Sequence, residues 1–218
     1  METQESLGRE VAQPWRPPSE GKPAIGGCFV CFERGGSGGG RSGEPGWSAA
    51  AVMQGDALLA ISTVSGVSGA PYRPGLLALR EGPLLEAAVK ALPTLPDVLL
   101  VNATGRDHPR GAGLALHLGA VLGIPSVGVT HRPLLAQGPW PAPDQAGAAT
   151  LRLDDRAVAS WVRTRSGARP LVAHSAWRTD TATAAQVVLT AVQHVRTPEP
   201  LRHARELARR ARATNPTF

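Results

Sequence analysis

The segment with the clearest chemical layout is residues 99–119, LLVNATGRDHPRGAGLALHLG. An apolar run ends at Asn102, a glycine-rich turn containing His108 follows, and a helical pattern of apolar residues then begins. This order is typical of a strand, a loop and a helix in which the C-terminal end of the strand carries functional side chains. A carboxylate is expected at such a strand end, whereas Asn102 is an amide.

The two cysteines, Cys28 and Cys31, have the CxxC spacing of redox-active pairs and of half zinc sites. A structural zinc site needs two such pairs, and this chain has one. The pair also lies in an apolar stretch that predicts a strand, where positions three apart point to opposite faces. We therefore expect Cys28 and Cys31 to be buried strand residues.

Strands followed by alternating helices and strands predict an α/β fold, in which a mixed sheet is flanked by helices. One domain is expected over residues 23–213, after a loosely ordered segment 1–22, and residues 35–46 are expected to form a flexible glycine-rich loop. Residues 131–156 are expected to be rich in loops. Strands are predicted at 24–32, 47–54, 57–64, 96–101, 124–130, 156–164 and 169–174, and helices at 84–92, 111–123, 181–195 and 198–213.

The overall charge permits a nucleic-acid partner. The net charge is +6 and the sequence pI is about 10.5. A charge of this size is also common on ordinary solvated surfaces, so it does not identify a partner. No apolar run of about 18 residues or more is present, and the N-terminus lacks the pattern of a secretory signal. We expect a cytoplasmic protein that does not bind membranes.

Four stretches follow one another in the order of a known family. They are PYRPGLLALREGPLLEA (71–87), PDVLLVNATGRDHPRGAGLALHLGAVLGIPSVGVTHRPL (96–134), AHSAWRTDTATAAQVVL (173–189) and TPEPLRHAREL (197–207). Together they resemble the endonuclease V family, metal-dependent nucleases with an RNase H-like fold that act next to deaminated purines. The resemblance implies a single RNase H-like domain, Mg²⁺ or Mn²⁺ as cofactor, DNA or RNA as partner, and a role in DNA repair.

Two of the six active residues that the resemblance implies are retained. Glu81 matches the Glu of the family's FRE motif, and His108 matches the His of its HPR motif. The four substituted positions are Phe29 for the Asp of GVDV, Asn102 for the Asp of LVDG, His131 for the Lys of GVAK and Trp177 for the His of PGHR. The predicted catalytic positions are therefore Glu81, Asn102, His108 and His131.

The segment that would contact the substrate is better preserved. The sequence PYRP at 71–74 keeps the Pro-Tyr-x-Pro frame of the family's strand-separating wedge, in which Tyr72 would stack on a base. Arg73 adds a cation that could meet a phosphate. The predicted substrate-binding residues are Pro71, Tyr72, Arg73, Pro74, Gly75 and Gly113. The alternative is that these prolines and glycines only form turns.

The substitutions change the chemistry that a metal site could perform. Mg²⁺ prefers carboxylates, waters and phosphate oxygens. Asn102 offers a neutral carbonyl and Phe29 offers no ligand. A rebuilt site of Glu81, Asp107, His108 and His131 would mix carboxylate and imidazole, with Glu81 and Asp107 as metal ligands, and would suit Mn²⁺, Zn²⁺ or Fe²⁺ better than Mg²⁺. The alternative is that Asp107 is a surface residue in a polar turn.

Three functions follow from these observations. The first is an endonuclease V-like protein that binds nucleic acid and whose Mg²⁺-dependent cleavage is weak or lost. The second is an enzyme that reuses the same scaffold for a small molecule or another metal. The third is a non-catalytic interaction module, for which salt-dependent oligonucleotide binding would be absent.

Overall fold

The computed structural model describes residues 2–10, 13–33, 40–143 and 146–215. Its elements follow the alternation that the sequence predicts. In chain order they are α1 (Glu2–Arg9), β1 (Ala24–Phe32), β2 (Pro45–Gln54), β3 (Ala57–Val67), α2 (Leu77–Lys90), β4 (Val98–Val101), α3 (Leu114–Leu122), β5 (Ser126–Thr130), β6 (Gly147–Leu153), β7 (Arg156–Arg163), β8 (Leu171–Ser175), α4 (Thr181–Thr190) and α5 (Glu199–Thr214).

The strands form one mixed sheet in the order β3-β2-β1-β4-β5-β8-β7-β6. The central strands β1, β4 and β5 are parallel to one another, and all other neighbours are antiparallel. The parallel strands are short and apolar on both faces, as is usual when helices cover both sides of a sheet. The predicted α/β fold with a mixed sheet flanked by helices is confirmed.

Side chains of alternate residues in the central strands enter two different cores. Leu99 and Val101 of β4 face α2 and α3 and belong to the larger core. Val98 and Leu100 face the opposite side, where they pack with residues of α4 and with Leu201 of α5. This alternation fixes the register of β4, because a shift by one residue would exchange the two faces.

Helix α2 begins at Leu77, earlier than the predicted start at residue 84. The sequence around Pro83 indicated a break, yet Pro83 lies inside the helix on an exposed face. Burial of Ala78 and Leu84 on the opposite face stabilises the helix through tertiary packing, which outweighs the local propensity of a single residue.

Two further segments differ from the sequence expectation. Strand β6 lies within residues 131–156, where loops were expected, and it forms an antiparallel hairpin with β7. Within the segment 1–22, expected to be loosely ordered, residues 2–9 form α1 and the Gln4 side chain is buried. Residues 35–39 of the predicted glycine-rich loop lie outside the described residues.

Both cysteines lie in β1 as thiols, Cys28 fully buried and Cys31 partly buried. Their sulfur atoms lie near backbone carbonyls, that of Leu100 for Cys28 at 3.9 Å and that of Ala208 for Cys31 at 3.5 Å. None of the described helices has the length and apolar character needed to cross a membrane.

Candidate functional site

The two strand positions that lack carboxylates lie side by side. The last register pair of the parallel strands β1 and β4 is Cys28 with Val101. The next residue after Cys28 is Phe29, and the next residue after Val101 is Asn102. Neighbouring strands are about 4.8 Å apart. The sheet therefore brings Phe29 and Asn102 to one edge, as the motifs predicted.

A cavity of about 330 Å³ opens at this edge. Helix α2 contributes the one carboxylate in its wall, Glu81, and the other wall residues are mostly apolar. Burial raises the pKa of Glu81 from 4.5 to about 7, and the nearby Arg80 guanidinium offsets this only in part. We call it the Glu81 cavity; its wall consists of Cys28, Phe29, Val30, Tyr72, Leu77, Glu81, Leu85, Val101, Asn102 and Leu114.

A second cavity, of about 290 Å³, lies directly beside the first. The two share Tyr72, Leu77, Asn102 and Leu114, so Tyr72 and Asn102 stand between them. We call it the His108 cavity; its wall also contains Gln4, Arg73, Gly75, Ala78, Ala103, Thr104, His108, Thr130 and Leu134. Burial, and next the charge of Arg110, lower the pKa of His108, which favours the neutral imidazole at neutral pH.

The Pro-Tyr-x-Pro segment is exposed at the mouth of both cavities. Tyr72 is 49% exposed, and its ring is accessible for stacking. Pro71 and Pro74 are exposed and line neither cavity. Gly75 has a φ of +76°, a conformation that L side chains rarely adopt, so a larger residue here would be strained.

Two residues that the sequence interpretation missed hold this segment in place. Arg110 donates to the Gly75 carbonyl at 2.7 Å, and the Gln4 amide donates to the same carbonyl at 3.3 Å. Arg110 Nε also donates to Gln4 Oε1 at 2.7 Å. Arg110 follows His108 closely in the chain, and its position in the HPR motif could have suggested a role. Gln4 gave no local signal, because it lies far from the site in sequence.

Gly113 is the position at which α3 approaches the loop after β4. A Cβ atom there would lie 2.3 Å from the Thr104 carbonyl oxygen, too close for any side chain. Its N–H donates to the Gly105 carbonyl at 2.8 Å. Gly113 does not line either cavity, so its direct role is to let the helix pack against the loop.

The structure gives Asp107 a role other than the predicted metal ligand. Its side chain is completely buried, and its oxygens accept hydrogen bonds from the backbone N–H groups of Leu134, Leu135 and Ala136 at 2.7–2.9 Å. Asp107 lines neither cavity. The lone pairs of this carboxylate are therefore used to fix the chain after β5.

The other members of the predicted rebuilt site are also apart. His131 is exposed and lines neither cavity, whereas Glu81 and His108 line different ones. Within the described part of the chain, no group of three or more His, Cys, Asp or Glu side chains is placed to hold a metal ion. The mixed carboxylate and imidazole site is thus not assembled.

Trp177 lies away from the cavities, at the beginning of β5. Its backbone N–H donates to Ser126 Oγ at 3.2 Å, and its Cβ packs where a side chain on Gly119 would otherwise lie. The two parallel strands that carry Phe29 and Asn102 end at the opposite edge of the sheet. Trp177 therefore packs α3 against β5 and lines neither cavity.

Arginine side chains approach the site from α5. The Arg205 guanidinium lies 5.7 Å from the centroid of the Phe29 ring. Burial, followed by the charges of Arg196 and Arg205, lowers the pKa of His131. The edge that carries Phe29 is therefore positively charged on the side facing α5.

The endonuclease V family model matches residues 22–206. The chain belongs to the endonuclease V family. Endonuclease V of Thermus thermophilus is 43% identical over 143 residues, which make up 65% of this chain and 63% of that protein. The crystal structure of endonuclease V from Streptomyces avermitilis has a TM-score of 0.86 at 32% identity, covering 98% of this chain and 92% of the other.

A third comparison extends the fold similarity to an animal protein. Endonuclease V of Ciona intestinalis, in complex with a 24mer DNA containing an inosine followed by a ribo-adenosine, has a TM-score of 0.75. The matched region covers 98% of this chain and 95% of the Ciona chain. At 20% identity this likeness shows the fold alone. The fold expected from the endonuclease V motifs is confirmed by these structures.

The residues of the Glu81 cavity do not fit the divalent metal that the family resemblance implies. A hard cation needs charged oxygen ligands, and this wall provides one carboxylate and one neutral amide, beside the buried Cys28 thiol and apolar groups. With a pKa of about 7, the Glu81 carboxyl is half protonated near neutral pH, which weakens it further as a ligand. The chemistry available at this edge is therefore that of its own side chains.

Proposed function

We propose that this endonuclease V family member binds nucleic acid containing a deaminated purine, and that its metal-dependent phosphodiester cleavage is weak or lost. The observation that carries the proposal is the wall of the Glu81 cavity, in which Phe29 and Asn102 stand beside a single carboxylate. The segment next to it keeps the Pro-Tyr-x-Pro frame, and Gln4 and Arg110 hold it through the Gly75 carbonyl.

The missing charges explain why cleavage would suffer. Phosphoryl transfer is catalysed mainly by positioning and by electrostatic stabilisation of the charge that develops on the phosphate oxygens. The oxygen of Asn102 is neutral, and the side chain of Phe29 carries no oxygen that could bind a cation. Glu81 alone cannot hold a cation with the affinity of three carboxylates, because each removed charge weakens the attraction.

The His108 cavity is the part of the molecule suited to a base. It is lined mainly by apolar groups, and His108 adds a neutral imidazole whose Nδ1 accepts from the Arg110 backbone N–H at 3.2 Å, so that its Nε2–H is the donor. The Tyr72 ring at its mouth provides a surface on which a neighbouring base can stack, an interaction worth about 1–3 kcal/mol. The inosine-containing DNA carried by the Ciona protein is a ligand of the same class.

The backbone around this cavity would hold a base without large rearrangement. Gly75 leaves space for close approach, and the hydrogen bonds from Arg110 and Gln4 keep its carbonyl in one orientation. Arg73 lines this cavity and is exposed, so its guanidinium is available to the phosphate of a bound nucleotide. Tyr72 and Arg73 thus supply stacking and charge, while Gly75 supplies access.

The direct test compares binding with cleavage on the same substrates. Single- and double-stranded DNA and RNA, with and without one inosine, are titrated by fluorescence anisotropy and then incubated with Mg²⁺ or Mn²⁺. We expect tighter binding to the inosine substrates and little or no nicking. Metal-dependent nicking next to inosine at the rate of an intact family member would overturn the loss of cleavage.

A restoration experiment tests whether the missing charges are the cause. The triple variant F29D/N102D/H131K restores both carboxylates and the lysine of the family motifs. Its matched control is F29N/H131K, which leaves Asn102 unchanged and has similar side-chain sizes but no new carboxylate. We expect Mg²⁺-dependent nicking in the triple variant and none in the control. Absence of nicking in both, with binding intact, would mean that the lost carboxylates are not the cause.

A further inference from the structure

The side chains around Phe29 and Asn102 do not suit a metal ion, but a permanently charged arginine lies beside them. Arg205 of α5 places its guanidinium 5.7 Å from the centroid of the Phe29 ring. This distance lies within the range of cation–π attraction, which is about 6 Å. A ring at position 29 therefore holds Arg205 without using its N–H donors, whereas a carboxylate there would pair with them.

Two other arginines of α5 differ from Arg205 in their partners. Arg202 pairs with Glu199 at 2.6 Å, and Arg210 pairs with Glu206 at 2.7 Å. Among the described residues, neither Arg205 nor Arg209 has a carboxylate within ion-pair distance. The Arg205 Nε atom is also buried without a hydrogen-bond acceptor in the same part of the chain. A buried donor of this kind is costly unless a ligand satisfies it.

The two unpaired arginines face one open groove. Arg205 and Arg209 both line a surface groove of about 410 Å³ along α5, whose other lining residues are Ala213, Arg202, Arg210 and Glu206, the last three joined in ion pairs. Their mutual repulsion contributes to a lowered pKa of Arg205, second to the effect of burial. Two guanidinium groups that repel each other are stabilised by an anion placed between them.

We propose that Arg205, assisted by Arg209, binds a phosphate of the nucleic-acid backbone at the Phe29 edge, so that binding requires no divalent cation. The arginine pair takes the place of a metal ion as the positive charge at this edge. It can hold a phosphate, because a guanidinium presents a planar fork of donors to phosphate oxygens. It supplies neither an activated water nor a polarising metal, so binding without cleavage is the consistent outcome.

This inference rests on the proposed nucleic-acid binding, and the experiment separates the two. An inosine-containing single-stranded oligonucleotide is titrated in excess EDTA against the wild type, R205A and R210A. Arg210 is the matched control, because it lies on the same helix but is already paired with Glu206. We expect EDTA to leave wild-type affinity unchanged and R205A to bind roughly tenfold more weakly, while R210A stays within about twofold of the wild type. The slope of log K against the logarithm of the salt concentration should be smaller in magnitude by about one in R205A.

A second variant tests the role of the ring. F29D places a carboxylate beside Arg205, so we expect it to weaken binding in EDTA about as much as R205A does. The double variant F29D/R205A should show no further loss, since both changes remove the same contact. F29L, which keeps an apolar side chain, controls for folding, and thermal unfolding by circular dichroism checks all variants.

Each outcome bears on one of the two proposals. If the wild type binds no oligonucleotide, the proposed function fails. If the wild type binds but R205A matches R210A, or if EDTA abolishes wild-type binding, the proposed function stands and the arginine site is overturned. Equal Arg205-dependent binding of a poly-glutamate peptide would also overturn the phosphate assignment.

Discussion

Two carboxylates near the Phe29 edge, the buried Asp107 and the partly buried Glu81, have opposite surroundings. Asp107 lies in the loop after β4 and accepts three backbone N–H groups from residues 134–136. Glu81 lies on α2, faces an apolar cavity, and has no hydrogen-bond partner among the described residues. Both were predicted metal ligands, Glu81 from its match to the family motif and Asp107 from its place in the loop beside His108.

The two carboxylates differ in the hydrogen-bond donors that surround their oxygen atoms. A carboxylate that accepts several backbone N–H groups has its lone pairs satisfied and holds those donors in place. A carboxylate buried without donors is destabilised, and this raises the pKa of Glu81 to about 7. Asp107 therefore has a structural role, while Glu81 is the group available to a ligand. The comparison shows that the hydrogen-bond donors around a carboxylate, more than its position in a motif, decide its role.

The largest expected effect comes from replacing Asp107, the carboxylate whose oxygens accept hydrogen bonds. In D107N the side chain keeps its shape, but one of its oxygens becomes an NH₂ group that cannot accept. At least one buried N–H of residues 134–136 then loses its partner. We expect a loss of about 3 kcal/mol in the free energy of unfolding, and a Tm lower by roughly 6–12 °C. Calorimetry near neutral pH measures this.

The control for D107N is E81Q at the same pH, because Gln also replaces a buried carboxylate by an amide. The comparison predicts that E81Q is not destabilised. Equal stability of D107N and the wild type would contradict the structural role of Asp107.

The second prediction concerns the pH dependence that Glu81 imposes. Its folded pKa of about 7 lies above the ordinary value of 4.5, so the folded state binds the proton more tightly. The stability that this proton provides is complete below about pH 4.5 and is lost as the pH rises to about 7. E81Q has no such loss. In urea unfolding, the free energy of unfolding of E81Q relative to the wild type should therefore rise by about 2 kcal/mol between about pH 5 and pH 8. Parallel pH profiles would show that the carboxyl is well solvated.

The sequence predicted the parts of the fold and site that depend on local patterns. The apolar runs of β1 and β4, the turn at Gly55 and the glycine after α3 all lie where the sequence indicated. The edge formed by Phe29 and Asn102 also followed from the motifs, because the C-terminal ends of parallel strands meet at one edge.

Contacts between distant segments could not be predicted in this way. The donors to Asp107 are backbone N–H groups 27 to 29 residues away, which every residue type except proline carries. Gln4 reaches Gly75 across 71 residues, and Arg205 reaches Phe29 from the other end of the chain. The separation of Asp107 from Glu81 depends on such contacts, so it became visible only in three dimensions.

The smallest expected effect comes from the imidazole beside Asp107. His174 Nδ1 lies 3.6 Å from Asp107 Oδ2, and its Nε2 lies 2.8 Å from Thr130 Oγ1. Burial lowers the pKa of His174 from 6.5 to about 4, although the Asp107 charge opposes the shift. The stability contribution of the neutral His174 is complete above about pH 6.5 and is lost as the pH falls toward 4. This direction is opposite to that of Glu81.

Because the two slopes oppose each other, the effect of His174 is best measured in the E81Q background. Between about pH 7 and pH 5.5, E81Q should lose about 1 kcal/mol more stability than E81Q/H174Q, in which no imidazole can titrate at this position. Urea unfolding at the two pH values provides the measurement. If E81Q instead loses less stability than E81Q/H174Q, the folded pKa of His174 is raised and the protonated imidazole forms an ion pair with Asp107. Asp107 would then form a buried ion pair with His174. It would differ from Glu81 in having an oppositely charged partner.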